Sequence, residues 1–504
     1  MMQAEDTSLA QHPYRGLVQA VCTILAVLIV AAICWCIWAF IAHRRLQAQI
    51  DAITALHQPF WETDFPSDHI PDEQNAAVLW KAVFAALPAE DEFPANSSFG
   101  FNDYPPFSLQ WHQLEDRSIA ANSKVFGLAH LAAAKEADWG PSARSPFTSF
   151  PYFNRSRCAA NILGDAILHA HLHGDDTLAI QRATDLLQLA RADGRVGNII
   201  ARLVSIGIQD LCFDRLLCIT PDLVIESDSR SRPSGARSGV PRKDVESLIR
   251  LILDESGDAD ARIAVIDCER LNDHQSFQGE RKELWTLGPM IDLSEARTFE
   301  VRKIDRLAAS ALSNVAVAGV YASNPTPVMG SGPVRPGNFG APQWSQVPPI
   351  NWAGAYEDPT FPLAQYWQIE WVGKRERRAA AISLAMRLYR MDHQRWPANP
   401  TELVPDYLPS VPSDPFAPGN TPIGYIVRKH ATPDGQDRPV LYWNMVGDPE
   451  KAALPPNPSF CQFVNGIQWR DLSRWYPVVA PNTPRATSAA TTESAPQTVN
   501  HQAK

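Results

Sequence analysis

The stretch from Leu17 to Ala42 reads LVQAVCTILAVLIVAAICWCIWAFIA, 26 residues without a single charge. A helix of roughly 20 apolar residues already covers a hydrocarbon core of about 30 Å. Trp35 and Trp38 fall toward one end of the run, where amphipathic rings favour the headgroup level. The apolar region of a cleaved signal peptide is usually about 7 to 15 residues long, and no A-x-A site closes this run. Residues 17–42 are therefore read as an uncleaved membrane anchor behind a short tail, 1–16. The lipid bilayer is the first partner that the sequence implies.

The long remainder is enough for two or three domains with apolar cores that need no disulfide or metal support. The net charge of −10 argues against nucleic acid as a partner, because that role needs a concentrated basic face. Cys22, Cys34 and Cys36 lie in the span. Cys158, Cys212, Cys218, Cys268 and Cys461 are scattered, odd in number and without a CxxC pair. Buried free thiols are favoured over a structural disulfide such as Cys212–Cys218.

Helical spacing continues past the span through Leu46, Ile50, Ile53 and His57, as a short stalk. Asp72 to Leu87 carries an apolar face at period 3.6 (Ala76, Leu79, Trp80, Val83, Phe84, Leu87) before Pro88 stops it. Another helix is expected around Asn122 to Glu136. Arg157 to His173 reads as one helix stopped by Gly174, and a second runs from a cap at Asp175 or Asp176 to about Ala192. Gly194 is expected to break the chain again before a third helix, Val196 to Leu217. Short glycine breaks between amphipathic helices imply antiparallel neighbours, a helical-hairpin array of tetratricopeptide-like architecture without a clean repeat. The helical domain, 43–226, is followed by a polar, basic linker at 227–243 and resumes over 244–323. Helical patterns there cover Val245 to Leu253, Ala259 to Leu271 and Ser294 to Val320. Asn324 to Pro362 packs nine prolines and five glycines into 39 residues. Its Phe339, Trp344, Trp352, Tyr356 and Phe361 suit a belt pinned over the helical domain. Residues 481–504 have the composition of a disordered tail.

Between these two segments, 363–480 reads as a small α+β module. Ala381, Leu384, Ala385, Leu388 and Tyr389 make one helical stripe that Pro397 ends. Asn399, Pro400 and Glu402 then stand at the cap, first and third positions of a short second helix. Ile423–Val427 and Val440–Trp443 read as strands around an Asp434–Gly435 turn, an antiparallel hairpin. Leu384, Leu388, Leu403, Tyr407, Leu408 and Phe416 are expected to meet in one core. This order, LYRMDHQRWP, then TELV, then YLPSVPSDPF, then a Tyr-containing strand, resembles the globular part of type II secretion major pseudopilins. It is closer still to the C-terminal module of uncharacterised bacterial single-pass envelope proteins, whose helical region also begins with an NAA motif, here Asn75-Ala76-Ala77. The sequence departs from pseudopilins in having its membrane helix far upstream of the module's long helix. The resemblance implies a single-pass envelope protein with an extracytoplasmic domain. The flanking charges, Arg15 with Glu5 and Asp6 against His43, Arg44 and Arg45, favour a cytoplasmic domain instead. Long domains translocate largely regardless of such charges, so the extracytoplasmic placement is adopted. Some pseudopilins bind calcium in C-terminal loops. Asp434, Asp437 and Asp448 lack EF-hand spacing here and are read as turn and cap residues.

Motifs for catalysis are sparse. There is no GxSxG, HExxH or P-loop, and Gly330, Gly332 and Gly337 have no strand before or helix after them. Asn161, Asp165, His169 and His173 recur at i, i+4 on one helix, with His171 nearby. A carboxylate one turn from a histidine can orient it, and two histidines one turn apart can share zinc. The opposite face (Ile162, Ala166, Ile167, Ala170) is apolar, so a solvated polar stripe is the favoured reading. Asp254, Glu255, Asp258 and Asp260 could pair for acid/base work. They read more simply as a helix end, a glycine break and an acidic N-cap. The expectation is a mainly α protein with a transmembrane helix, a helical-hairpin array and a C-terminal α+β module. Its role would be structural or protein-interacting, with no catalytic residue, cofactor or metal assigned. The alternative is a membrane-anchored hydrolase with its site near Asp165, His169 and His173.

Overall fold

The computed structural model describes residues 14–65, 70–88, 107, 109–140, 146–226, 239–311, 361–415, 421–429, 437–443, 462–464 and 467–471. Eleven α-helices dominate these residues. The first, α1, runs unbroken over Arg15–Ala55 and is long and apolar enough to cross a membrane. The stalk expected after the span is thus the same helix. His57, at φ 51°, lies just past its end.

The helical body follows as α2 (Ala76–Ala86), α3 (Leu109–Ala121), α4 (Ser123–Ala133), α5 (Pro146–Leu172), α6 (Asp176–Gly194) and α7 (Ile199–Ile219). α5, α6 and α7 pack on one another, and α4 packs on α2 and α6. Caps explain the starts. The Asp175 side chain accepts from Leu178 N–H at 2.9 Å, and Asn198 accepts from Ala201 N–H at 2.7 Å. Each satisfies a backbone donor that an opening helix turn leaves free. Gly174 follows α5 at φ 83° and Gly197 precedes α7 at φ 86°, in the left-handed region that glycine enters without penalty. The break expected at Gly194 is present: it is the last residue of α6, and α7 starts at Ile199. A Cβ at Gly194 would lie 3.1 Å from Ser205 Oγ, so its smallness also lets α6 approach α7.

The NAA motif is a latch. Asn75 caps α2 by accepting from Ala77 N–H at 2.9 Å. The same carboxamide accepts from Asp138 N–H at 2.9 Å and donates to Asp138 C=O at 2.8 Å. Ala76 and Ala77 are buried, and the start of α2 is thereby tied to the segment after α4.

A parallel pair of two-residue strands, β1 (Ile225–Glu226) and β2 (Val240–Pro241), leads into α8 (Arg242–Leu253). The end of the expected linker is therefore strand and helix, while 227–238 lies outside the described residues. α8 buries Val245, Leu248, Ile249 and Ile252, an i, i+3, i+4, i+7 stripe. α9 (Asp258–Glu283) and α10 (Gly288–Ala311) pack side by side, and α10 also packs along the far part of α1. Residues 324–360 of the expected belt and the tail 481–504 also lie outside the described residues.

α11 (Phe361–His393) begins well before the stripe that marked it in the sequence, and packs on α7 and α8. Leu384, Leu388, Leu403, Tyr407 and Leu408 share one apolar cluster with Ile423 and Leu441, as expected. Phe416 lies outside the described residues. The cluster also contains the buried faces of α5, α6 and α7, so the C-terminal elements close the same core. The short helix after Pro397 is a 3-10 turn, Pro400–Leu403, capped by Asn399. The expected hairpin is present as β3 (Gly424–Arg428) and β4 (Arg438–Trp443), with Tyr425 opposite Leu441. Two strands that the sequence did not suggest, β5 (Gln462–Val464) and β6 (Ile467–Asp471), extend it to an antiparallel sheet of order β3-β4-β6-β5. Its Asp434–Gly435 turn, with Asp448, is outside the described residues; Asp437 pairs with Lys429 at 2.6 Å. Cys158, Cys212, Cys218 and Cys268 are not joined in disulfides, so Cys212 and Cys218 are not bridged.

Candidate functional site

The polar positions of α5 separate into three environments. Asn161 is half-buried beside a cavity of ≈ 10 Å³, lined also by Arg157, Leu203, Val204, Ile208 and Leu211. That is room for about one water molecule. Asp165 is not solvated. It is buried and receives Arg215 of α7 at 3.3 Å, a guanidinium that also reaches Asp214 at 3.1 Å. Burial pushes the Asp165 carboxyl up to about 6 against the pull of Arg215. Glu115 of α3 is buried next to this pair, and burial with the Asp165 charge pushes it up to about 8. His171, fully enclosed, joins Asp176 at 2.6 Å, and the other Asp176 oxygen accepts from Val224 N–H at 2.7 Å. This places His171 in a joint between α5, α6 and β1.

His169 and His173 do come together, one turn apart, with ring centroids 4.0 Å apart. Their carboxylate is Asp116 of α3, which the sequence reading missed. His169 Nε2 lies 2.8 Å from Asp116 Oδ1, and His173 Nε2 lies 3.7 Å from the same oxygen. The three donor atoms lie within 4.8 Å of one another. His173 Nδ1–H donates to the His169 carbonyl at 2.8 Å. A carbonyl only accepts, so the Nδ1 proton is fixed and Nε2 of the neutral ring is left with its lone pair. The hydrogen bond with His169 and the rings of His173 and His112 hold the Asp116 carboxyl below its usual range. Burial lowers the His169 imidazole, which favours its neutral form. His112 stands one turn before Asp116, its ring 6.2 Å from that of His173. The paired spacings His112-xxx-Asp116 and His169-xxx-His173 were both visible in the chain. What joins them is the packing of α3 on α5, across more than fifty residues.

The second acidic candidate is a set of ion pairs. Glu255 receives Arg378 through two bonds of 2.8 Å, and Lys374 at 2.7 Å. Asp258 receives Arg377 at 2.8 Å and Arg202 at 3.2 Å. Burial alone would raise both carboxyls, but these cations hold them below the usual range. Asp254 accepts from the Ser256 hydroxyl at 2.6 Å, and Asp260 is exposed. The N-cap of α9 is Gly257 rather than an acid, because Asp258 sits in the first turn and turns to the arginines of α7 and α11. Glu370 of α11 adds a further layer, receiving Arg202 at 2.9 Å and Arg262 at 3.4 Å. The run Lys374-Arg375-Glu376-Arg377-Arg378 is the sequence signal for this network. Buried charges of this kind stay ionised only when paired.

No family model, no curated protein and no solved structure matches this chain.

Proposed function

We propose that the protein is a membrane-anchored scaffold of the cell envelope, whose helical body serves a structural or protein-interaction role on the extracytoplasmic side. One observation carries this reading. α1 continues without a break from its apolar run into a seam on α10, where Leu46, Ile53, Phe60, Ala296 and Phe299 bury one another. Each large apolar side chain buried this way contributes about 1.5 to 3 kcal/mol. A body mounted rigidly on its anchor holds a fixed height and orientation above the bilayer, which suits assembly. The neutralised carboxylates around Glu255 and Asp258 support the same reading, since their charges are spent on holding α7, α9 and α11 together. The likeness of the C-terminal elements to pseudopilin globular parts belongs to this proposal, supported by the order of long helix, capped turn and antiparallel strands. The test is crosslinking in native membranes. A scaffold gives a discrete crosslinked partner that persists when His169 and His173 are both changed to glutamine. A chain that yields no crosslinked partner contradicts the proposal.

The second reading is a metal-dependent hydrolase, and the convergence of Asp116, His169 and His173 favours it. Zinc–nitrogen and zinc–oxygen bonds of about 2.0 to 2.2 Å in a tetrahedron set ligand atoms roughly 3.3 Å apart. The observed separations from Asp116 Oδ1, 2.8 and 3.7 Å, lie on either side of that value. Stoichiometric zinc in the purified full chain, lost on changing His169 and His173 to glutamine but kept in His130→Gln, would move the balance to this reading.

A further inference from the structure

The turn between α9 and α10 exposes large apolar side chains that the body leaves uncovered. Trp285 is 78% exposed, Met290 52%, Leu284 46% and Leu287 40%. Scattered single exposures are ordinary, but a contiguous apolar patch marks something that covers it. Its position says what that is. Asp292, at the start of α10, faces His43 at 3.8 Å and receives Arg281 from the end of α9 at 3.0 Å. His43 is the first residue after the apolar run. Further along, Phe299 of α10 meets Phe60, which follows α1, so the two helices run in the same direction. The residues before Asp292 therefore point back toward the span. Four residues of helix from Asp292 to Gly288 advance about 6 Å. That brings Trp285 and Leu287 level with the last turn of the run, around Ala39. The burial of α1 agrees: Trp38 and Ala39 are half-buried and Ala42 is fully covered, while the run before them is exposed.

We propose that the Leu284–Met290 turn is a second membrane contact, seated in the interface of the leaflet from which α1 emerges. A tryptophan at the tip of such a turn suits the headgroup level, with its ring in the acyl boundary and its N–H toward water. Lys282 and Glu283, exposed just before the turn, stand where the headgroups are charged, as do Arg44 and Arg45 on α1. Two contacts to one bilayer, a spanning helix and a wedged turn, remove the freedom of the body to rotate about the anchor axis. The inference rests on α1 crossing the membrane, and the experiment separates the two claims.

A fluorescent amino acid is placed at position 285, 61 or 28 of the full chain. The protein is assembled into phosphatidylcholine–phosphatidylglycerol nanodiscs, which leave both faces open to water. Position 28 lies inside the span. Position 61, an exposed tryptophan like 285, lies past the other end of α1. The expected result is loss of emission at 285 and 28 to brominated acyl chains, with little loss to aqueous iodide, and the reverse at 61. If 28 is not quenched by lipid, the anchor itself is wrong. If 28 is quenched by lipid while 285 behaves like 61, the anchor stands and the second contact is overturned. Shielding of 285 from both quenchers would show a protein surface covering the turn, and would also overturn it.

Discussion

Asp292 sits between His43 and Arg281, 3.8 Å from the imidazole of one and 3.0 Å from the guanidinium of the other. This buried carboxylate joins three helices at one level: the residue leaving the apolar run of α1, the end of α9 and the start of α10. Further along α1 the join turns apolar, with Phe60 and Phe299 edge to face at 5.3 Å. The long apolar helix and the body therefore share a seam, and the rest of the body holds together behind it.

Leu388 is fully buried in the cluster that α11 shares with α5, α6 and α7. Leu388→Ala should cost about 2 to 5 kcal/mol, the range for a leucine removed from a packed core. Denaturant unfolding of the detergent-solubilised chain measures it. A cost within that of an ordinary surface change, about 0.5 kcal/mol, would show that the C-terminal elements do not close this core.

Arg378 ties α11 to both Glu255 and Ser413, donating to the serine carbonyl at 2.7 Å and to its hydroxyl at 3.0 Å. Arg378→Ala should destabilise by about 1.5 to 3 kcal/mol, the scale of hydrogen bonds to a charged group. Glu255 keeps Lys374, so the loss should stop short of unfolding. Adding Lys374→Ala should then cost more than the two single changes summed, because the half-buried carboxylate is left without a cation.

Asp193 is buried, and burial pushes its carboxyl up to about 7 although Ser156 donates to it at 2.5 Å. In the unfolded chain it titrates near the ordinary carboxylate value of about 3.9. Between these values the native state holds a proton that the unfolded state has released, so the native state loses stability as pH rises through this window. The loss is on the order of 1.4 kcal/mol for each unit of pKa difference. Asp193→Asn should therefore lose less stability than the unchanged chain between pH 5 and pH 8. Identical pH slopes for the two proteins would show that Asp193 is not protonated in the native state.

Asn75→Ala removes the cap of α2 and both bonds to Asp138. A lost cap costs about 0.5 to 2 kcal/mol. Asn75→Ser keeps an uncharged acceptor for the opening turn of α2 and gives up only the bonds to Asp138, so its cost should be smaller. Thermal melts that rank the two in the opposite order would contradict the latch.

The apolar periodicity of α2, of α5 through α7 and of α8, and the stop at Gly174, could be read directly because each follows from local side-chain spacing or a single backbone requirement. The break at Gly194 was legible too, but its second duty, letting α6 approach α7, was not, because a glycine needed for close helix approach looks the same in sequence as one that ends a helix. The extension of α11 back to Phe361 was hidden by Pro362, which is tolerated because it falls in the first turn, where a missing N–H leaves no bond unmade. The histidine pair was legible, its carboxylate was not. Asp165 carries the right helical spacing yet turns to Arg215, and Asp116 arrives from a helix that only tertiary packing places there. β5 and β6 are three and five residues long, too short for alternation to stand out.

The central claim, that the body is fixed to its anchor, is tested most directly by hydrogen exchange of the full chain in lipid nanodiscs, read over residues 43–55. These amides lie beyond the apolar run, so lipid does not protect them. The account predicts exchange as slow as that of α10, with protection lost in Phe299→Ala, where the seam on Phe60 is removed. Rapid exchange of 43–55 in the unchanged chain, while α10 stays protected, would mean a body hanging from a flexible stalk, and would contradict it.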